Sequence, residues 1–220
     1  SFSFVVLGYN WSMLFSILSN GSGNLLVNLV IFLLVAVALI ISISIHEFAH
    51  AWAADKLGDP TAKRLGRLTL NPKAHLDPMG TMMLLIAGFG WGKPVPFDPR
   101  YLDNPKKGAA IISFAGPASN ILLALLLTTI FHVFGPVGIV GFFLRIVVQY
   151  NLILALFNMI PVNPLDGFKV VNGFLPRELS YQWIQLAPYG MWILLFLIFA
   201  GVTDKVIGPL LTSGMSILGF

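Results

Sequence analysis

Long apolar stretches separated by short polar ones set the pattern of this chain. Residues 25–45 run for 21 positions without a charge, enough to cross a hydrocarbon layer of about 30 Å at about 1.5 Å per residue. The run continues straight into ISISIHEFAHAWAADKLG (residues 41–58). Ahead of it, residues 2–18 are apolar but broken at Gly8-Tyr9-Asn10, and the SNGSGN that follows is a turn signal. That segment reads as a short span or an interfacial helix. Further on, residues 109–134 predict a second long span, GPVG a tight turn, and residues 139–160 a return crossing that ends in FNMIPVNPLDG. Residues 183–200 predict another span. Residues 206–220 are apolar but short, either a further crossing or an interfacial tail.

Between the first two long spans the pattern changes. Residues 79–90 are apolar, yet a helix of that length reaches only about 18 Å and cannot cross. Its flanks carry Lys56, Lys63, Arg64, Arg67 and Lys73 on one side and Lys93, Arg100, Lys106 and Lys107 on the other, 9 of the chain's 13 cationic residues. By the positive-inside rule both flanks face the cytoplasm, so the short run is re-entrant. The stretches RLTL (residues 67–70) and KPVPF (93–97) alternate as edge strands do. Backbone of that kind survives at membrane depth where protein or a water cavity surrounds it. The expected fold is all-α and polytopic, with about five to six transmembrane helices and a small re-entrant β-hairpin or sheet near the active site.

Composition agrees. Hydrophobic residues make up 57% and charged residues 10%, and the mean hydropathy is +0.86, whereas a soluble domain carries about 25% charge. No polar stretch is long enough for a separate domain, so residues 1–220 are expected to form one membrane-embedded unit with a catalytic core at about 25–180. The first residues lack the basic region and small-residue cleavage site of a signal peptide and read as mature protein. The basic residues lie between apolar spans, which makes them topology determinants and not a nucleic-acid surface. There is no cysteine. A metal would have to sit on His, Asp or Glu.

Charged side chains at the end of an apolar helix need a reason. In H-E-x-x-H the imidazoles of His46 and His50 stand one helical turn apart on one face, the spacing that lets two nitrogens share one Zn²⁺ while Glu47 is offset as a general base toward the attacking water. With 4 His and 2 Glu in the chain, chance gives this pattern about 0.001 times. A catalytic zinc site takes a third protein ligand. Asp166 follows a long apolar span in NPLDG, where Pro164 interrupts helical bonding, and the topology returns it to the level of His46 and His50; an ordinary turn aspartate is the alternative. His75 could reach the same depth.

HEFAH (46–50), FAGPASN (114–120) and NMIPVNPLDG (158–167), in this order, resemble the site-2 protease family of intramembrane zinc metalloproteases. LNPKAHLDPMG and GWGKPVPF resemble its compact bacterial and archaeal branch without a PDZ domain. The resemblance covers roughly residues 41–168. It implies His46, His50 and Asp166 as ligands of one Zn²⁺ per chain and Glu47 as general base. It further implies Asn120 as a group orienting substrate or its oxyanion, and Asn158 as a support of the active-site network. Substrates would be transmembrane segments of other proteins, cut near the cytoplasmic face, with the bilayer as surroundings and the cell membrane as location. Two other classes compete. A membrane metal transporter would spread its ligands along a path, whereas here they cluster at one end; a noncatalytic protein that grips membrane segments would not need Glu47.

Overall fold

The computed structural model describes residues 4–6, 25–87 and 89–220. The described residues are mostly helical. The first, α1 (Leu25–Lys56), is 32 residues long, about 48 Å. Its first half exposes Leu26, Leu29 and Leu33, while Ala38, Leu39, Ser42, Ile43, His46, Glu47 and His50 farther on are buried. Hydroxyls in such a helix must be satisfied internally. Ser42 donates to the Ala38 carbonyl at 2.7 Å and Ser44 to that of Ile40 at 2.6 Å.

A loop region follows, with short helices α2 (Thr61–Arg64) and α3 (Pro78–Ala87). It is pinned at two places. Asp59 accepts from the Thr61 backbone N–H and hydroxyl and from the Asp98 backbone N–H, and Arg67 donates to the carbonyls of Lys93 and Pro94. Strand β1 (Phe4–Val6) pairs antiparallel with β2 (Phe89–Trp91) in the register Phe4↔Trp91, Val5↔Gly90, Val6↔Phe89. An isolated bridge joins Leu76 to Gly92.

Helix α4 (Pro105–Phe134) starts on an Asn104 cap, turns at Gly135 to Val137, and returns as α5 (Gly138–Asn158). Helices α1, α4 and α5 pack on one another and form the bundle that carries the site. Val35, Ala38, Leu39 and Ile43 of α1 meet Ile146, Val147, Tyr150, Ile153 and Leu154 of α5 in its main core. After α5 the chain turns tightly, with a cis Asn163–Pro164 bond, into α6 (Asp166–Phe174). Helices α7 (Arg177–Gln185), α8 (Gly190–Phe199) and α9 (Val202–Ile217) complete it.

Among the described residues four stretches are long and apolar enough to cross a membrane: Leu26–Lys56, Pro105–Phe134, Gly138–Asn158 and Arg177–Phe199. That is fewer than the five to six spans expected. α9, at 16 residues, is too short. Of the span or interfacial helix expected over residues 2–18, only 4–6 are described, and these are strand; the rest lies outside the described residues. RLTL forms no strand either, because Arg67 turns inward to bind carbonyls and four alternating residues offer no partner. The strand falls just ahead of KPVPF, which has no regular secondary structure. The short run at 79–90 is α3 followed by β2, and its ten-residue helix is too short to span, as expected.

Candidate metal centre

The two histidines of α1 lie one turn apart with their rings edge to face, centroids 4.6 Å apart. Both are fully buried, as are Glu47 and Asp166. The donor atoms of His46, Glu47 and His50 lie within 4.8 Å of one another.

Each imidazole is held by its far nitrogen. His50 Nδ1 is 2.7 Å from the Ile112 carbonyl of α4; a carbonyl only accepts, so Nδ1 carries the proton and Nε2 presents a lone pair. That Nε2 is buried without a hydrogen-bond partner. His46 Nδ1 is 2.6 Å from Asn120 Oδ1, and its Nε2 lies within hydrogen-bond distance of Asp166 Oδ2.

Both lone pairs face a carboxylate. Asp166 Oδ2 lies 3.1 Å from His46 Nε2 and 3.2 Å from His50 Nε2. As the first residue of α6 it also faces a positive helix end. Two imidazole nitrogens and a carboxylate oxygen that converge in a buried site make a donor set suited to a shared cation. A tetrahedral zinc ion with bonds of about 2.0 to 2.1 Å separates its ligands by about 3.3 to 3.4 Å, close to what is found, so the donor set fits the metal.

The backbone makes room for it. A Cβ on Gly116 of α4 would lie 2.5 Å from His46 Nε2 and 2.5 Å from His50 Nε2, so glycine keeps that face of the nitrogens open. Asp166 is delivered by a second close approach: a Cβ on Gly167 would fall 2.3 Å from the Met159 carbonyl oxygen, which only glycine avoids. Glu47 sits beside the histidines with Oε2 accepting the Val95 backbone N–H at 3.2 Å.

Comparison with known proteins decides the family. Residues 34–140 match Peptidase family M50. YwhC of Bacillus subtilis, which carries the name "Putative zinc metalloprotease YwhC", is 40% identical over 187 residues, 81% of this chain and 85% of that protein. The chain belongs to peptidase family M50, the site-2 proteases. Rip2 of Mycolicibacterium smegmatis is 32% identical over 187 residues, 80% of this chain and 69% of Rip2. "Zinc metalloprotease MJ0392" of Methanocaldococcus jannaschii is 25% identical over 146 residues, 66% of this chain and 35% of that protein. No solved structure gives a significant match.

Within this M50 chain the other candidate residues take distinct places. Asn120 is fully buried, with Oδ1 on His46 and Nδ2 donating to the Ser42 carbonyl and Asn151 Oδ1; both ends of its amide are occupied by protein. Asn158 is buried and donates to the Leu154 carbonyl at 2.9 Å, and its Oδ1 has no hydrogen-bond partner among the described residues. His75 is buried too, yet its Nε2 lies 2.7 Å from the Thr69 carbonyl. Burial lowers its pKa, with Arg67 adding to the effect. Its loop stands behind Glu47, with the His75 carbonyl accepting from Lys93 N–H at 2.7 Å. Gly116, Asn151 and Val95 were not singled out by sequence for any role at the centre. The glycine lies within FAGPASN, but nothing in the sequence shows that it faces the histidines, and a backbone N–H leaves no trace in sequence.

Proposed function

We propose that this membrane metallopeptidase is a zinc-dependent intramembrane endopeptidase that hydrolyses peptide bonds in transmembrane segments of other membrane proteins. The observation that carries the proposal is the convergence of His46 Nε2 and His50 Nε2 on Asp166 Oδ2, at 3.1 and 3.2 Å, beside the buried Glu47 carboxylate, inside a bundle of membrane-length helices. His46, His50 and Asp166 hold the ion. When bound, it supplies Lewis acidity toward the scissile carbonyl and lowers the pKa of water toward about 7.

Glu47 is the general base. It takes a proton as water adds to the carbonyl carbon and passes it to the amide nitrogen as the C–N bond breaks. The Val95 N–H on Oε2 fixes the carboxylate's direction while the proton moves. Asn120, through His46 Nδ1, orients a ligand. Residues 1–220 act as a single domain. The substrate must unwind locally, because helical peptide groups are hydrogen-bonded internally; helix-breaking residues near the cytoplasmic face of the cell membrane mark the cut. The basic residues flanking α3 and β2 support that orientation.

The test is cleavage of a single-span substrate by purified protein in vesicles. A chelator abolishes cleavage and added zinc restores it; cleavage that survives zinc removal would refute the proposal.

A further inference from the structure

A chain of buried side chains leads to the candidate centre, linking α1, α4 and α5. Ser42, Asn120, Asn151 and His46 are all buried. The Ser42 hydroxyl donates to the Ala38 carbonyl at 2.7 Å, so its oxygen is left to accept. Asn151 Nδ2 lies 2.8 Å from that oxygen and 2.8 Å from the Val147 carbonyl. A backbone carbonyl cannot donate, so the end of the Asn151 amide facing it is the NH₂ group. The opposite end, Oδ1, therefore faces Asn120 and accepts from its Nδ2 at 2.7 Å. The Ser42 carbonyl, 3.1 Å from the same Nδ2, requires the same direction. Asn120 Oδ1 is then the atom 2.6 Å from His46 Nδ1, and that nitrogen must carry the proton.

The alternative is a working hydrogen-bond arrangement of the wrong kind. If the Asn120 amide were reversed, its NH₂ would donate to His46 Nδ1 and the proton would sit on Nε2, 3.1 Å from Asp166 Oδ2. That tautomer is content without metal and offers no lone pair to one. Asp166 by itself favours it. Something on the far side of the ring has to oppose it, and the reversal is penalised where it would set Asn120 Oδ1 against Asn151 Oδ1 and the Ser42 carbonyl.

We infer that Asn151, seated by Val147 and Ser42, is a positioning residue that fixes the His46 tautomer through Asn120 and so keeps His46 Nε2 available to the metal. The inference rests on His46 being a ligand, as proposed above. Partners behind a metal-bound imidazole set its tautomer and basicity, and their loss weakens metal affinity by about 10- to 100-fold.

The experiment is competitive zinc titration of the full chain in detergent, with nitrogen NMR of the histidine rings in the zinc-free protein. Asn151→Leu is expected to weaken zinc by about 10-fold or more and to turn a His46 ring protonated at Nδ1 into a mixture with the Nε2–H form. In an Asn120→Leu background the same substitution is expected to add no further loss, because the relay is already cut. Equal zinc affinity in wild type and Asn151→Leu overturns the inference, as does an undiminished loss in the Asn120→Leu background, the mark of packing alone. Should Asn151→Leu not fold, Asn151→Ala decides: it removes the amide that accepts from Asn120 without adding bulk, and an unchanged affinity and tautomer overturn the relay. Failure of wild type to take zinc would instead defeat the ligand reading on which it rests.

Discussion

Val95 and Glu47, 48 residues apart in the chain, meet through a single hydrogen bond, the Val95 backbone N–H donating to Glu47 Oε2 at 3.2 Å. The bond depends on where residues 93–95 lie, and Arg67 governs that. Its guanidinium donates to the Lys93 carbonyl at 2.5 Å and to the Pro94 carbonyl at 2.9 Å, the two residues just before Val95.

Arg67→Ala is therefore expected to lower cleavage by about 10-fold or more while leaving zinc content unchanged. Hydrogen bonds to charged groups contribute about 1.5 to 3 kcal/mol each, enough to release the segment. Arg67→Lys should rescue little, since an ammonium lacks the planar fork that reaches both carbonyls. Metal analysis beside a cleavage assay checks this; wild-type activity in Arg67→Ala would show that the segment does not need its clamp.

Gly116→Ala should lose zinc without unfolding the bundle. The new methyl would sit 2.5 Å from both Nε2 atoms, inside the space the ion needs, although alanine is the better helix former by about 1 kcal/mol. The pair of readouts is zinc stoichiometry and thermal unfolding of the zinc-free protein. Full zinc occupancy in the variant would mean that the ion lies on another side of the histidines.

What sequence could show of this centre follows from the range of each constraint. His46 and His50 share one helix, so a four-residue spacing alone fixes their relation. Asp166 was legible because a long apolar span returning to a broken helix brings a carboxylate to a known depth. Asn151 and Gly116 depend instead on how α1, α4 and α5 are turned about their axes, which apolar helices packed on several sides do not reveal. Arg67 was read within a strand because four alternating residues look alike whether the second partner is a strand or a pair of carbonyls.

Asp166→Ala is expected to lose most bound zinc and all cleavage, because it removes the donor that both Nε2 atoms face. His75→Ala should keep zinc and part of the activity, since its ring is engaged with the Thr69 carbonyl and not with the centre. Full zinc in Asp166→Ala together with loss in His75→Ala would reverse the assignment.

The orientation has its own test in amine labelling of sealed vesicles. Lys63, Lys73, Lys93 and Lys107 are exposed on either side of α3 and β2, and all four should react from the cytoplasmic side. Protection of Lys93 and Lys107 alone would mean that the intervening segment crosses the membrane.

The central claim is that Glu47 moves the proton in a zinc-dependent cut within a membrane-spanning segment. Its most direct measurement is the cleavage rate of Glu47→Gln on a single-span substrate in vesicles, with bound zinc counted in the same sample and the cut site located by mass spectrometry. Glutamine keeps the size of the side chain and an oxygen for the Val95 N–H but cannot accept the proton. The account predicts wild-type zinc content, a cut inside the span for the wild type, and no detectable cleavage by the variant; a zinc-loaded Glu47→Gln protein that cleaves at the wild-type rate would contradict it.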